Sequence, residues 1–132
     1  MKVLFLGDVF GKPGRQAVQR LVPRLLTRLG ADLVIANAEN ASNGLGVSPD
    51  AADELLAAEV DFLTGGNHIW SKREIGPYLA APGARLLRPA NFPADAPGGT
   101  FALAEARDGT LVGAFTLLGR TYMRPVDCPF RA

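Results

Sequence analysis

Gly65-Gly66-Asn67-His68-Ile69-Trp70 sets a carboxamide and an imidazole side by side, directly after two glycines that let the backbone turn sharply and approach a bound group. An amide oxygen is a neutral metal ligand, and imidazole is the side chain that holds or releases a proton near neutrality. Two earlier segments end in comparable donors, Gly7-Asp8 and Ala38-Glu39-Asn40. A carboxylate lying between two further oxygen donors is suited to bridge two divalent ions. In two-metal sites such ions sit roughly 3.5–4 Å apart and clamp the attacking and leaving oxygens of a phosphoryl displacement. His68, just outside such a cluster, is placed to protonate a departing alkoxide. Asn40 and Asn43 offer further oxygens or hydrogen bonds, and Arg15 offers a phosphate contact.

These donors can meet only if the chain brings three segment ends to one edge. Each donor follows an apolar run with β character: Val3-Leu4-Phe5-Leu6, Asp32-Leu33-Val34-Ile35-Ala36-Asn37 and Val60-Asp61-Phe62-Leu63-Thr64. The first run is uninterrupted, which predicts a central strand buried on both faces. Between the first two runs, Val18, Leu21, Val22, Leu25, Leu26 and Leu29 recur at helical spacing. They predict a helix from Arg15 to Leu29, stopped at Gly30 and kinked or broken at Pro23. The loop from Val9 to Arg15 looks like a phosphate cradle but has neither the G-x-x-x-x-G-K-[ST] nor the G-x-G-x-x-G spacing. Ala41 to Gly46 forms a loop of small residues that lets a ligand approach the backbone. Ser48-Pro49-Asp50 then opens a second helix, with Ser48 as N-cap and Pro49 in the first turn. The resulting β-α-β-α-β order implies a parallel sheet, and ligands of such sheets gather at the carboxyl ends of the strands.

Further on, Lys72 to Leu79 is expected to form a short helix and 82 to 99 an irregular loop near the site. Phe101 to Glu105 and Thr110 to Leu117 form a hairpin around Arg107-Asp108-Gly109. Asp127-Cys128-Pro129-Phe130 resembles the opening turn of a helix, so the chain is expected to be truncated there. Trp70 and Phe92 read as wall or core, Lys12 and Arg88 as solvated side chains, and Cys128 as inert.

Composition narrows the class. The 132 residues carry 14 basic against 13 acidic side chains, a net charge of +1. That balance excludes the electrostatics of a nucleic-acid coat or of a membrane-surface protein. One cysteine excludes an internal disulfide and fits a reducing compartment. No apolar run approaches a membrane span, and a cytoplasmic α/β domain spanning 1–132 is expected.

Taken together, Gly7-Asp8-Val9-Phe10-Gly11-Lys12-Pro13-Gly14-Arg15, Asn37-Ala38-Glu39-Asn40-Ala41-Ser42-Asn43-Gly44-Leu45-Gly46, Gly65-Gly66-Asn67-His68-Ile69-Trp70 and Arg88-Pro89-Ala90-Asn91-Phe92-Pro93 resemble the YmdB-like family of bacterial metallophosphoesterases, within the calcineurin-like superfamily. The resemblance implies a four-layer α-β-β-α sandwich and a di-metal centre of iron or manganese, with magnesium as a further candidate. It also implies hydrolysis of phosphodiesters such as 2′,3′-cyclic nucleotides, RNA ends among the substrates. By position it gives Asp8 one metal, makes Glu39 the bridge, lets Asn40 support the first ion and Asn67 bind the second, and makes His68 the proton donor. The superfamily's Asp-x-His is here Asp8-Val9-Phe10, a substitution usual in this branch. The family completes its site with histidines from a C-terminal half, whereas His68 is the only histidine in this sequence. The chain thus resembles the N-terminal half of such an enzyme. Two other classes stay open at the level of the residues: a metal-free α/β module binding phosphate or nucleotide, and a half-fold that associates with another copy or another chain to cover a sheet edge.

Overall fold

The computed structural model describes residues 1 to 132. The apolar runs and the helical repeat become β1 (Val3–Leu6), α1 (Gly11–Leu29), β2 (Leu33–Asn37), α2 (Pro49–Ala57), β3 (Phe62–Thr64), α3 (Ile75–Ala80) and β4 (Leu86–Leu87). They are followed by β5 (Phe101–Glu105) and β6 (Leu111–Phe115). β1 to β4 pair in parallel in chain order, with Leu6 opposite Ala36, Asn37 opposite Thr64 and Thr64 opposite Leu87. That register ends the strands together, so Gly7-Asp8, Ala38-Glu39 and Gly65-Gly66 all leave the same edge.

Side chains alternate across the sheet as the two-residue strand period requires. Val34, Ala36, Leu63 and Leu86 face one way and join Val22, Leu26, Leu55, Ile75 and Leu79 of the three helices in one large core. Leu33 and Phe62 face the other way and pack with Ala106, against Ala102, Ala104 and Val112 of the antiparallel β5–β6 hairpin. The result is helices, parallel sheet and hairpin in three stacked layers, matching a partial metallophosphoesterase fold. At the amino edge of the sheet the Arg107 guanidinium donates to Asp61 Oδ2 at 2.9 Å, and the Arg107 amide to the Asp32 carbonyl at 2.9 Å, pinning the hairpin turn.

Several expectations are corrected. β1 is an edge strand, not a central one: Leu4 and Leu6 pack on the core, but Val3 and Phe5 are 46% and 60% exposed because the hairpin does not reach over them. α1 begins at Gly11, four residues before Arg15. Pro13 falls in the first turn, where its missing N–H has no intrahelical partner to lose. The helix also runs through Pro23 without a break. The carbonyl that Pro23 leaves unpaired belongs to exposed Gln19, where water can reach it, and Thr27 Oγ1 donates to the Pro23 carbonyl at 3.2 Å. Val18, Val22 and Leu26 therefore stay in phase on the buried face. α3 starts three residues later than Lys72, and the irregular 82–99 stretch contains the two-residue strand β4, too short to show a period. The second hairpin strand stops at Phe115, and Asp127 to Ala132 forms turns rather than helix. Arg88 is 4% exposed, not solvated: it donates to the carbonyls of Gly98 at 3.0 Å and Pro89 at 3.2 Å, organising the loop that follows β4.

Candidate active site

Three loops leaving the sheet edge are tied to one another by backbone hydrogen bonds. Val9 N–H donates to the Asn37 carbonyl at 3.0 Å, Gly11 N–H to the Asn40 carbonyl at 2.9 Å and Ala38 N–H to the Thr64 carbonyl at 2.9 Å. The ladder thus continues past the strand ends, and each functional side chain hangs from a fixed backbone. Gly11 has a φ of +56°, the left-handed turn that starts α1 beneath the Asp8 loop.

Asp8 lies exposed at the edge, where its Oδ2 accepts from Asn40 Nδ2 at 2.8 Å. That contact commits the amide nitrogen of Asn40 and leaves its Oδ1 as an oxygen donor. Glu39 begins in a local turn, its N–H donating to Asn37 Oδ1 at 3.2 Å. Its carboxylate lies against the backbone of Gly66, where a Cβ would overlap Oε2. Glu39 Oε2 is buried and has no hydrogen-bond partner. Next to this glycine, Asn67 Nδ2 faces His68 Nε2 at 3.1 Å. The contact couples the orientation of the imidazole to that of the carboxamide.

The two glycines of this turn have a different reason from the one their sequence suggests. Neither has a positive φ. A Cβ at Gly65 would meet the side chain of Ile69, which is fully buried, and a Cβ at Gly66 would meet Glu39. They let protein pack on protein, and in doing so bring the Asn67 turn against the Glu39 carboxylate.

The remaining candidates are distributed otherwise. Arg15 Nε donates to Glu54 Oε2 and its Nη1 to the Ala41 carbonyl, both at 2.6 Å, so its guanidinium joins α1, α2 and the loop after Glu39. Asn43 sits in that loop with a φ of +57°. Arg15 and Asn43 line a cavity with Lys72, Asp50, Glu54 and Glu74, apart from the cavity that Asn67 and His68 line. Ser48 caps α2, its Oγ accepting from Ala51 N–H at 3.3 Å. Trp70 stands edge-on to Phe92, ring centroids 4.7 Å apart, and packs on the helical core. Asp8, Glu39, Asn40, Asn67 and His68 therefore form one edge cluster, while Arg15 and Asn43 stand to its side.

No three His, Cys, Asp or Glu side chains gather as a ready ion site. The oxygen-bearing side chains along this edge are instead two carboxylates, Asp8 and Glu39, and two carboxamides, Asn40 and Asn67. Sequence reasoning misses a second wall facing His68, the segment Leu118 to Val126. It has no period and no motif.

Comparison with known proteins bears on this arrangement. The sequence profile described as "YmdB-like protein" matches residues 4–132. A 2′,3′-cyclic-nucleotide 2′-phosphodiesterase of Bacillus subtilis (strain 168) is 39% identical over 130 residues, covering 98% of this chain and 48% of that protein. A protein of Mycoplasma pneumoniae named as a putative phosphatase/phosphodiesterase is 36% identical over 115 residues, covering 87% of this chain and 39% of its own length. Among solved structures, a hypothetical protein from Thermus thermophilus superposes with a TM-score of 0.91 at 39% identity, over 99% of this chain and 50% of that one. A novel phosphatase of Mycoplasma pneumoniae gives 0.86 at 32% identity, over 99% and 48%. The chain spans about half the length of these relatives.

Proposed function

The chain belongs to the YmdB-like family, and on that footing we propose that its edge cluster is the strand-end half of a two-metal phosphodiesterase site acting on phosphodiesters such as 2′,3′-cyclic nucleotides. One observation carries the reading: a buried, unpartnered carboxylate oxygen on Glu39, held over a glycine that leaves it just enough room. A carboxylate oxygen stripped of water without a donor is unfavourable, and a cation is a partner that removes that cost.

The donor set fits such a group. Asp8, Glu39 and the free oxygens of Asn40 and Asn67 are hard oxygen ligands, suited to manganese, magnesium or iron. Glu39, whose strand β2 lies between β1 and β3, would be the ligand shared by both ions. When bound, the ions supply charge neutralisation at the phosphoryl oxygens and activation of the attacking water.

This chain's own residues do the rest. Asn67 has two jobs, since its Nδ2 orients His68 while its Oδ1 stays available. His68, beside the oxygen donors, is the group that would protonate the leaving alkoxide. The Asn40 contact to Asp8 fixes the first carboxylate in place. A metal-free phosphate module is less well served, because Arg15 and Lys72 share their cavity with Asp50, Glu54 and Glu74.

Hydrolysis of 2′,3′-cyclic AMP with Mn²⁺, by this chain alone and mixed with the complementary half of the Bacillus relative, tests the proposal. Turnover that chelator abolishes, and that Glu39→Gln lowers by roughly a hundredfold or more on the scale of lost electrostatic catalysis, is expected. Turnover indifferent to chelator, or none under either condition, contradicts it.

A further inference from the structure

Beside His68 lies a cavity of about 280 Å³ whose far wall comes from outside the strand-end loops. One side is Asn67, His68 and Phe92, and the other is Tyr122, Met123 and Arg124 from the loop between Leu118 and Asp127. That loop has its two ends fastened by one side chain. Asn91 is 1% exposed; its Nδ2 donates to the Leu118 carbonyl at 2.9 Å and to the Asp127 carbonyl at 3.0 Å. Its Oδ1 accepts from Leu118 N–H at 2.8 Å, and its own carbonyl accepts from Asp127 N–H at 2.9 Å. Every polar group of the Asn91 carboxamide is therefore spent on closing the loop, none on the cavity.

We propose that this loop is the wall of a subsite for the nucleoside part of the substrate, and that Asn91 is the positioning residue that holds the wall in place. The proposal rests on the phosphodiesterase reading of the neighbouring cluster. The cavity shares Asn67 and His68 with that cluster, so a phosphoryl group held there projects its organic substituent into it. The lining is mixed as a nucleoside needs. Phe92 and the planar guanidinium of Arg124 offer faces on which a base stacks, and Ser71 offers a hydroxyl. The volume, about 280 Å³, falls just below the usual ligand-pocket range of about 300–1,000 Å³, which suits a single nucleoside and not a long oligonucleotide. A loop closed at its neck by buried hydrogen bonds presents these side chains without ordering them anew for each substrate.

Amide-resolved NMR titrations in Mg²⁺ buffer, with inorganic phosphate and with 3′-AMP as probes, separate the two sites. Phosphate is expected to shift Asp8 and Asn67 only. 3′-AMP is expected to shift these and also Ser71, Met123 and Arg124, and to bind at least about tenfold more tightly than phosphate. Asn91→Ala is expected to erase that tenfold advantage while phosphate affinity stays within about twofold, which a general loss of structure would not do. Met123→Trp, which fills the cavity and leaves the clasp intact, is expected to do the same and covers the case in which Asn91→Ala does not fold. A loop silent to 3′-AMP, equal affinity for the two probes, or an advantage that survives both substitutions overturns the proposal. Loop shifts from 3′-AMP with no shift of Asp8 or Asn67 by either probe instead overturn the phosphodiesterase reading and leave the subsite standing.

Discussion

On its helical face the parallel sheet buries Val34, Ala36, Leu63 and Leu86 beneath residues of α1, α2 and α3, most of them with almost no exposure. On its hairpin face the buried apolar cluster is small, Leu33 and Phe62 with Ala106, and the outer side of the hairpin leaves Phe101, Leu103, Leu111 and Phe115 about 60% exposed or more. The same strands thus have one face finished and one face thinly covered. The candidate site follows the finished face. Its loops run from the strand ends into α1 and α2, and its third turn is anchored by fully buried Ile69. A rigid site at a sheet edge needs only one well-packed face behind it.

Substitutions on the two faces test that inequality. Leu63→Ala removes a fully buried side chain from the helical face. It is expected to cost about 2–5 kcal/mol in chemical denaturation, the range for large cavities in cores. Gly66→Ala comes next: its new Cβ overlaps the Glu39 carboxylate, which must swing aside, so loss of Mn²⁺ affinity is expected with little change in stability. Retained metal affinity in that variant would separate Glu39 from the site.

A smaller effect belongs to Tyr78, whose hydroxyl is pushed up to about 12 by burial and by donating to Asp53 Oδ1 at 2.7 Å. Because the folded value lies above the usual value of about 10, the neutral hydroxyl stabilises the fold fully below pH 10, and that contribution is lost as pH rises towards 12. Tyr78→Phe is expected to cost about 0.5 kcal/mol, low because solvent screens the pair, and to remove the later of two tyrosine transitions in an ultraviolet titration. Leu103→Thr, on the outer side of the hairpin, is expected to change stability by less than about 0.5 kcal/mol. A cost there matching that of Leu63→Ala would mean that the two faces are not unequal.

The legible parts of the molecule are those with a period or a cap. The strand-end donors, the Ser48 cap and the hairpin around Gly109 follow from local patterns that the structure keeps. β1 is misplaced by its sequence because an apolar run records that a strand is apolar on both sides, not whether the fold covers both. Pro23 misleads because a proline's cost depends on whether the carbonyl it orphans faces water. Arg88 and Asn91 are illegible in role for one shared reason: both spend their polar groups on backbone carbonyls distant in sequence or in irregular loops, and no spacing rule encodes such contacts. The glycines before Asn67 are recognisable as necessary, but the partner they admit is Glu39.

Whether Glu39 bridges two ions is decided by a calorimetric titration of the chain with Mn²⁺, with Glu39→Gln as control. Two bound ions are expected, both weakened about tenfold or more when the bridging carboxylate loses its charge, in the range typical of altered metal-site ligation. No binding heat, or isotherms that coincide for the two proteins, would contradict the bridge and with it the two-metal reading of the site.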